Sequence, residues 1–116
     1  MPKMLDLGKE LLRFNSSKDA IEYSINGGRT WVVRSTNRLL DDCTDLFEWG
    51  DEILACTPRG ICYSRDNGKS WTQRYTSTST TGTFQTLHSD GSTLLAETSK
   101  GLYYSRQSGR DWTRKR

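Results

Sequence analysis

Three tryptophans cut this 116-residue chain at nearly equal intervals. Trp31, Trp71 and Trp112 lie 40 and 41 residues apart. Each closes a related phrase: YSINGGRTW (23–31), YSRDNGKSW (63–71) and YSRQSGRDW (104–112). A glycine precedes each tryptophan by three residues (Gly28, Gly68, Gly109), a serine by seven (Ser24, Ser64, Ser105) and a tyrosine by eight (Tyr23, Tyr63, Tyr104). Ile21, Ile61 and Leu102 stand two before the tyrosines. Further back come GKELL (8–12), GDEIL (50–54) and GSTLL (91–95); the first copy carries two extra residues within RFNSSKDA. Self-similarity at a fixed period marks a repeat architecture, in which each unit buries its faces against its neighbours.

Each unit reads as four short strands. In the second copy these are DLFEW, EILAC, ICYS and SWTQR, parted by the turn signals GD, TPRG and RDNG. Ile21/Tyr23, Ile61/Tyr63 and Leu102/Tyr104 alternate onto one face of the third strands. Glu22, Cys62 and Tyr103 point the other way, and their variety predicts a less demanding environment. The adjacent pairs Leu11–Leu12, Ile53–Leu54 and Leu94–Leu95 predict second strands buried on both faces. MLDLGKELLRF has some helical amphipathicity, but Gly8 interrupts it and it aligns with strands in the other copies. Four antiparallel strands per ~40 residues is the period of a β-propeller blade. A β-solenoid or prism is the rival, but solenoid coils are shorter and need no hairpin at a fixed place. The expected fold is all-β: three four-stranded antiparallel blades, at about 1–34, 35–75 and 76–116.

The second phrase spaces Ser64, Asp66, Gly68 and Trp71 as S-x-D-x-G-x-x-W. This resembles the Asp-box of bacterial neuraminidase (BNR) repeats. The first copy has Ser24, Asn26, Gly28 and Trp31; the third has Ser105, Gln107, Gly109 and Trp112, and its longer Gln107 predicts a looser turn. The resemblance implies a hairpin between the third and fourth strands of each blade, at the blade periphery and away from any catalytic centre. The residues make sense independently. An aspartate accepts backbone N–H bonds two residues on, glycine supplies positive φ, and tryptophan covers the corner. Asp66 is accordingly expected to be structural. The family spans sialidases, xyloglucan-cleaving glycosidases, sorting receptors and photosystem assembly factors, so it implies no single activity.

Three blades are too few for a ring, because propellers typically have 4–8. An open arc is expected to expose apolar flanks on its first and last blades. The expected solution is a homodimer with six blades, three from each chain, in the commonest closed symmetry. A monomer, or a piece of a longer protein, is the rival. The first inner strand is expected near Lys3 and the last outer strand at DWTRKR.

Composition narrows the partners. Net charge is +3 from 17 basic and 14 acidic residues, a mixed surface without the strong basic clustering of nucleic-acid binders. The tail Arg114, Lys115, Arg116 reads as a solvated terminus. Cys43, Cys56 and Cys62 are an odd set; one bridge between Cys56 and Cys62 across a hairpin fits, but none is required. The lone His88 and the absence of a CxxC pair predict no metal and no cofactor. No secretory leader or membrane span is visible, so a cytoplasmic location is the default.

In a propeller, the connecting loops 35–44 and 76–83 and the hairpin tips 16–20, 57–60 and 98–100 share one mouth. They bring Lys18, Asp19, Arg38, Asp41, Asp42, Arg59 and Lys100 there as candidate ligand contacts. A non-catalytic binding or scaffolding module for a protein or glycan is the first expectation. A sialidase-like glycosidase is the second, although no carboxylate pair or arginine triad maps onto that chemistry; no catalytic residue is assigned. A structural part of a larger assembly is the third.

Overall fold

The computed structural model describes residues 4–115. It contains twelve strands in three antiparallel sheets, each built from four consecutive strands. The first holds β1 (Leu5–Asp6), β2 (Leu11–Asn15), β3 (Ala20–Ser24) and β4 (Val32–Thr36). The second holds β5 (Asp45–Trp49), β6 (Glu52–Thr57), β7 (Gly60–Ser64) and β8 (Thr72–Thr76). The third holds β9 (Phe84–Asp90), β10 (Thr93–Thr98), β11 (Gly101–Ser105) and β12 (Thr113–Arg114). MLDLGKELLRF is therefore two strands around a turn, with Gly8 at φ +91°. The inner strand expected near Lys3 falls partly outside the described residues; β1 is described from Leu5.

The sheets differ in one hairpin. Thr57 pairs with Gly60 and Thr98 with Gly101, leaving two-residue tips, whereas Asn15 pairs with Ala20 over a four-residue tip. The two extra residues of the first copy sit there. Gly60 has φ +138°, and a Cβ at that position would collide with the Tyr75 carbonyl oxygen. The outer strands start at Val32, Thr72 and Thr113, just after each tryptophan, later than SWTQR suggests. The tryptophan and the residue before it belong to the turn.

Two apolar clusters hold the sheets together. Leu12, Phe14 and Ile21 of the first sheet meet Leu46, Ile53, Ala55, Cys62 and Trp71 of the second. Leu54, Cys56 and Ile61 on the other face of the second sheet meet Phe84, Leu87, Leu94 and Ala96 of the third. All six residues of β6 are buried. Leu11 and Leu95 in the equivalent end strands are only half-buried. Burial on both faces thus holds for the middle strand alone, because only the middle sheet has two neighbours.

One expectation is corrected and one open alternative is resolved. Glu22, Cys62 and Tyr103 are all buried. Cys62 and Tyr103 face the preceding sheet and its connecting loop, where the Cys62 thiol donates to the Leu39 carbonyl and the Tyr103 hydroxyl to the Thr80 carbonyl (2.8 Å). Glu22 is covered by its own sheet, bound to Arg13 at 2.8 Å. Cys56 and Cys62 do not form the bridge left open above, and none of the three cysteines is in a disulfide. Cys56 stands opposite Ile61 and Cys62 opposite Ala55, so the two thiols leave opposite faces of the sheet.

Candidate functional site

Two regions carry polar side chains in ordered arrays: the turns between third and fourth strands, and the opposite end, where connecting loops meet hairpin tips. In the second turn Ser64 Oγ receives the Gly68 N–H at 2.8 Å and donates to Asp66 Oδ1 at 2.7 Å. Asp66 accepts from the Ser70 N–H at 2.9 Å and the Ser70 hydroxyl at 2.6 Å. These bonds, the Ser70 hydroxyl first, hold its carboxyl down to about 2. Trp71 Nε1 donates to the Gly68 carbonyl at 3.1 Å. The aspartate therefore reaches four residues on rather than two; Ser64 makes the two-residue bond, to the Asp66 N–H.

The first turn repeats this with Asn26, which accepts from the Thr30 N–H at 3.0 Å. The third keeps the bond from the Gly109 N–H to Ser105 (2.9 Å) and from Trp112 to Gly109 (3.0 Å). Gln107 makes no counterpart of the bonds from Asn26 to residue 30 or from Asp66 to residue 70. Gly28, Gly68 and Gly109 sit at φ +87° to +92°.

The second and third turns each touch the sheet before them. Arg34 binds Glu10 through both guanidinium nitrogens (2.7 and 2.6 Å) and also donates to the Asn67 carbonyl at 3.0 Å. Arg74 binds Glu52 the same way (both 2.7 Å) and donates to the Ser108 carbonyl at 3.0 Å. The guanidinium carbons of Arg34 and Arg74 lie 4.0 Å from the Tyr23 and Tyr63 ring centres. Both arginines occupy a bulge, since the register of β4 and β8 slips at that point. The Arg74 bond, with help from Arg65, holds the Glu52 carboxyl down to about 2. Sequence reasoning missed these clasps. Their signal was an arginine three residues after Trp31 and Trp71, paired with a G-x-E at 8–10 and 50–52. In the third copy the two positions hold Lys115 and Thr93.

The other end gathers five of the seven candidate mouth residues. Asn37 caps a short 3-10 turn, Arg38–Leu40. Its Leu40 is fully buried and plugs the joint between the first two sheets. Arg59 donates to the carbonyls of Arg38 and Asp41 and lies 3.9 Å from the Asp42 carboxylate. Asp19 accepts the Asp42 N–H at 3.3 Å. Asp19 and Asp42 both hold positive φ, 49° and 61°. Lys18 turns away toward Glu22 (3.8 Å), and Lys100 stands apart, beside Gly82.

The loop 77–83 supplies no such apolar plug. A cleft of about 500 Å³ opens there, lined by Tyr75, Thr80, Thr81, Tyr103, Trp112 and Arg114 among others. Among the described residues, no three His, Cys, Asp or Glu side chains form a metal-ligating group.

Comparison with known proteins adds to this. No family model matches the chain, and no curated protein matches it in sequence. Solved structures do match. YCF48 from Cyanidioschyzon merolae aligns with a TM-score of 0.63 and 21% identity, over 96% of this chain and 39% of that one. YCF48 bound to a D1 peptide gives 0.64 and 21%, over 81% and 33%. A GH74 enzyme from Niastella koreensis gives 0.62 and 14%, over 91% and 17%.

The three sheets are propeller-like blades. At these identities the likeness is one of fold. The chain spans between a third and two-fifths of the YCF48 chains. The Arg34 and Arg74 clasps are thus joints between successive blades, each tying one blade to the turn of the next. The cleft lies between the second and third blades. The Asp19–Arg38–Asp41–Asp42–Arg59 knot closes the equivalent place between the first and second.

Proposed function

We propose that this chain is a non-catalytic binding or scaffolding module of Asp-box blades, that two copies complete a six-bladed ring, and that its ligand is a polypeptide. The observation that carries the reading is the 500 Å³ cleft. It is concave, walled by three aromatic rings and edged by threonine hydroxyls and one arginine, the composition of a recognition site. Its lining contains no carboxylate. The buried acids are committed elsewhere: Glu22 to Arg13, Glu52 to Arg74, and Asp45 to the Leu46 and Leu87 N–H groups. The buried acids among the described residues therefore offer no uncommitted pair for acid–base work on a glycosidic bond. The YCF48 structure with a D1 peptide supports the choice of a polypeptide over a glycan.

Exposed apolar side chains at the ends support pairing. Met4 is 58% exposed, whereas its equivalents Leu46 and Leu87 are fully buried against a preceding blade.

Three assays test the function: selection from a displayed random-peptide library, a glycan array, and a panel of chromogenic glycosides. Peptide capture that is lost in Thr80→Trp, which fills the cleft, is the expected result. Glycoside turnover overturns the non-catalytic reading. Glycan capture without peptide capture overturns the choice of ligand.

A further inference from the structure

The two end flanks are not the uniformly apolar faces expected of an open arc. Successive blades align strand for strand, so each flank residue has an equivalent at an internal joint. On the forward face, Phe14, Cys56 and Glu97 are equivalent, each opposite the second residue of the third strand (Ile21, Ile61, Leu102). On the rear face, Arg13, Ala55 and Ala96 are equivalent, opposite Glu22, Cys62 and Tyr103. At the internal joints these positions meet in apolar clusters, Phe14 with Ala55 and Cys56 with Ala96. At the two ends both positions are charged and opposite in sign.

Each charge is already set in place. Arg13 binds Glu22 through Nε (2.9 Å) and Nη2 (2.8 Å), and its guanidinium carbon lies 4.1 Å from the Trp31 ring centre. Among the described residues its Nη1 edge makes no bond. Glu97 is 57% exposed and, among the described residues, bound only to His88 at 2.9 Å. Around these charges the flanks stay apolar, with Leu95, Leu102 and Tyr104 half-buried on one, and Leu11 and Trp31 half-buried and Val33 exposed on the other. Gly68 lies against Ile21 and Leu12 of the blade before it, and Gly109 against Ile61. Gly28 meets only Trp31 and Leu11 of its own blade.

We propose that the forward flank of the third blade docks on the rear flank of the first blade of a second copy, setting Glu97 of one chain against Arg13 of the other. The seam then holds the network Glu22–Arg13–Glu97–His88, inside a rim where Leu102 covers Gly28 as Ile21 covers Gly68. Two-fold symmetry makes this contact twice. A charge pair at each seam fixes the register of docking and disfavours other edge pairings. The inference rests on the six-bladed pairing proposed above and names the residues that set it.

The test is the mass of the chain in solution by light scattering across a dilution series. Wild type is expected at twice the chain mass. Glu97→Arg is expected to weaken the dimer at least about tenfold in Kd, and Glu97→Arg combined with Arg13→Glu to restore it. Glu97→Ala, at an exposed position, reads the same contact if the double variant misfolds by near-ultraviolet circular dichroism; it is expected to weaken the dimer and its salt dependence. A wild-type monomer at all concentrations overturns the six-bladed reading itself. A wild-type dimer whose Kd is unchanged by both Glu97→Arg and Glu97→Ala overturns this seam and leaves that reading standing.

Discussion

Glu52 shows how a single acid ties a blade together. It lies largely buried between Arg74 and Arg65, and its carboxyl is held at about 2 instead of the usual 4.5. A carboxyl whose folded pKa is lowered stabilises the fold fully above its unfolded value, and that contribution disappears as pH falls through the folded one. The melting temperature is therefore expected to drop between about pH 4.5 and pH 2. Asp66 titrates in the same direction. Glu52→Gln is expected to flatten part of the acid slope while lowering the melting temperature at pH 7. An unchanged slope would remove Glu52 from the account. The turn residues were legible in the sequence because their chemistry is local: serine, glycine and tryptophan lie within eight residues of one another. The environment of Glu22, Cys62 and Tyr103 was not, because alternation reveals two faces but not what covers each. Coverage depends on residues in another sheet, in a connecting loop or on a neighbouring strand.

At the scale of the strand, the arginine bulges join what the repeat divides. The Arg74 side chain is buried, bonded bidentately to Glu52 and bonded to the next blade's turn. Arg74→Met leaves Glu52 with only the more exposed Arg65. Breaking a buried pair from one side costs about 3–5 kcal/mol, and a loss near the lower end is expected in urea denaturation. Arg74→Lys is expected to recover only part, since an ammonium cannot make the bidentate fork and lie over Tyr63 at once. The strands themselves were readable from period and turn residues. The clasps were not, since a bulge moves one residue out of the alternation that pattern-reading relies on. The Leu40 plug was equally hidden: a leucine in a polar connecting loop gives no sign that a core lies beneath it.

The molecule as a whole is a row of three blades, 43 × 28 × 21 Å, in which only the middle blade has neighbours on both sides. In such a row stability is shared mainly between neighbours. In the single chain, at concentrations below the dimer Kd, amide exchange is expected to be slowest in β6 and β7, and fastest in β1 and β12, each two residues long. Equal protection across all three blades would contradict this ranking. The number of blades was legible from the tryptophan spacing. The polar character of the end flanks escaped notice because it appears only when Arg13 and Glu97 are compared with Ala55 and Cys56 in aligned register.

The three thiols carry a practical consequence. Cys43 and Cys62 belong to the joint between the first and second blades, and Cys56 to the joint between the second and third. All are shielded from solvent, and burial pushes Cys43 up to about 12 and Cys62 up to about 11. An alkylating reagent reaches them only when a joint parts, so the label each one collects over time records which seam breathes first.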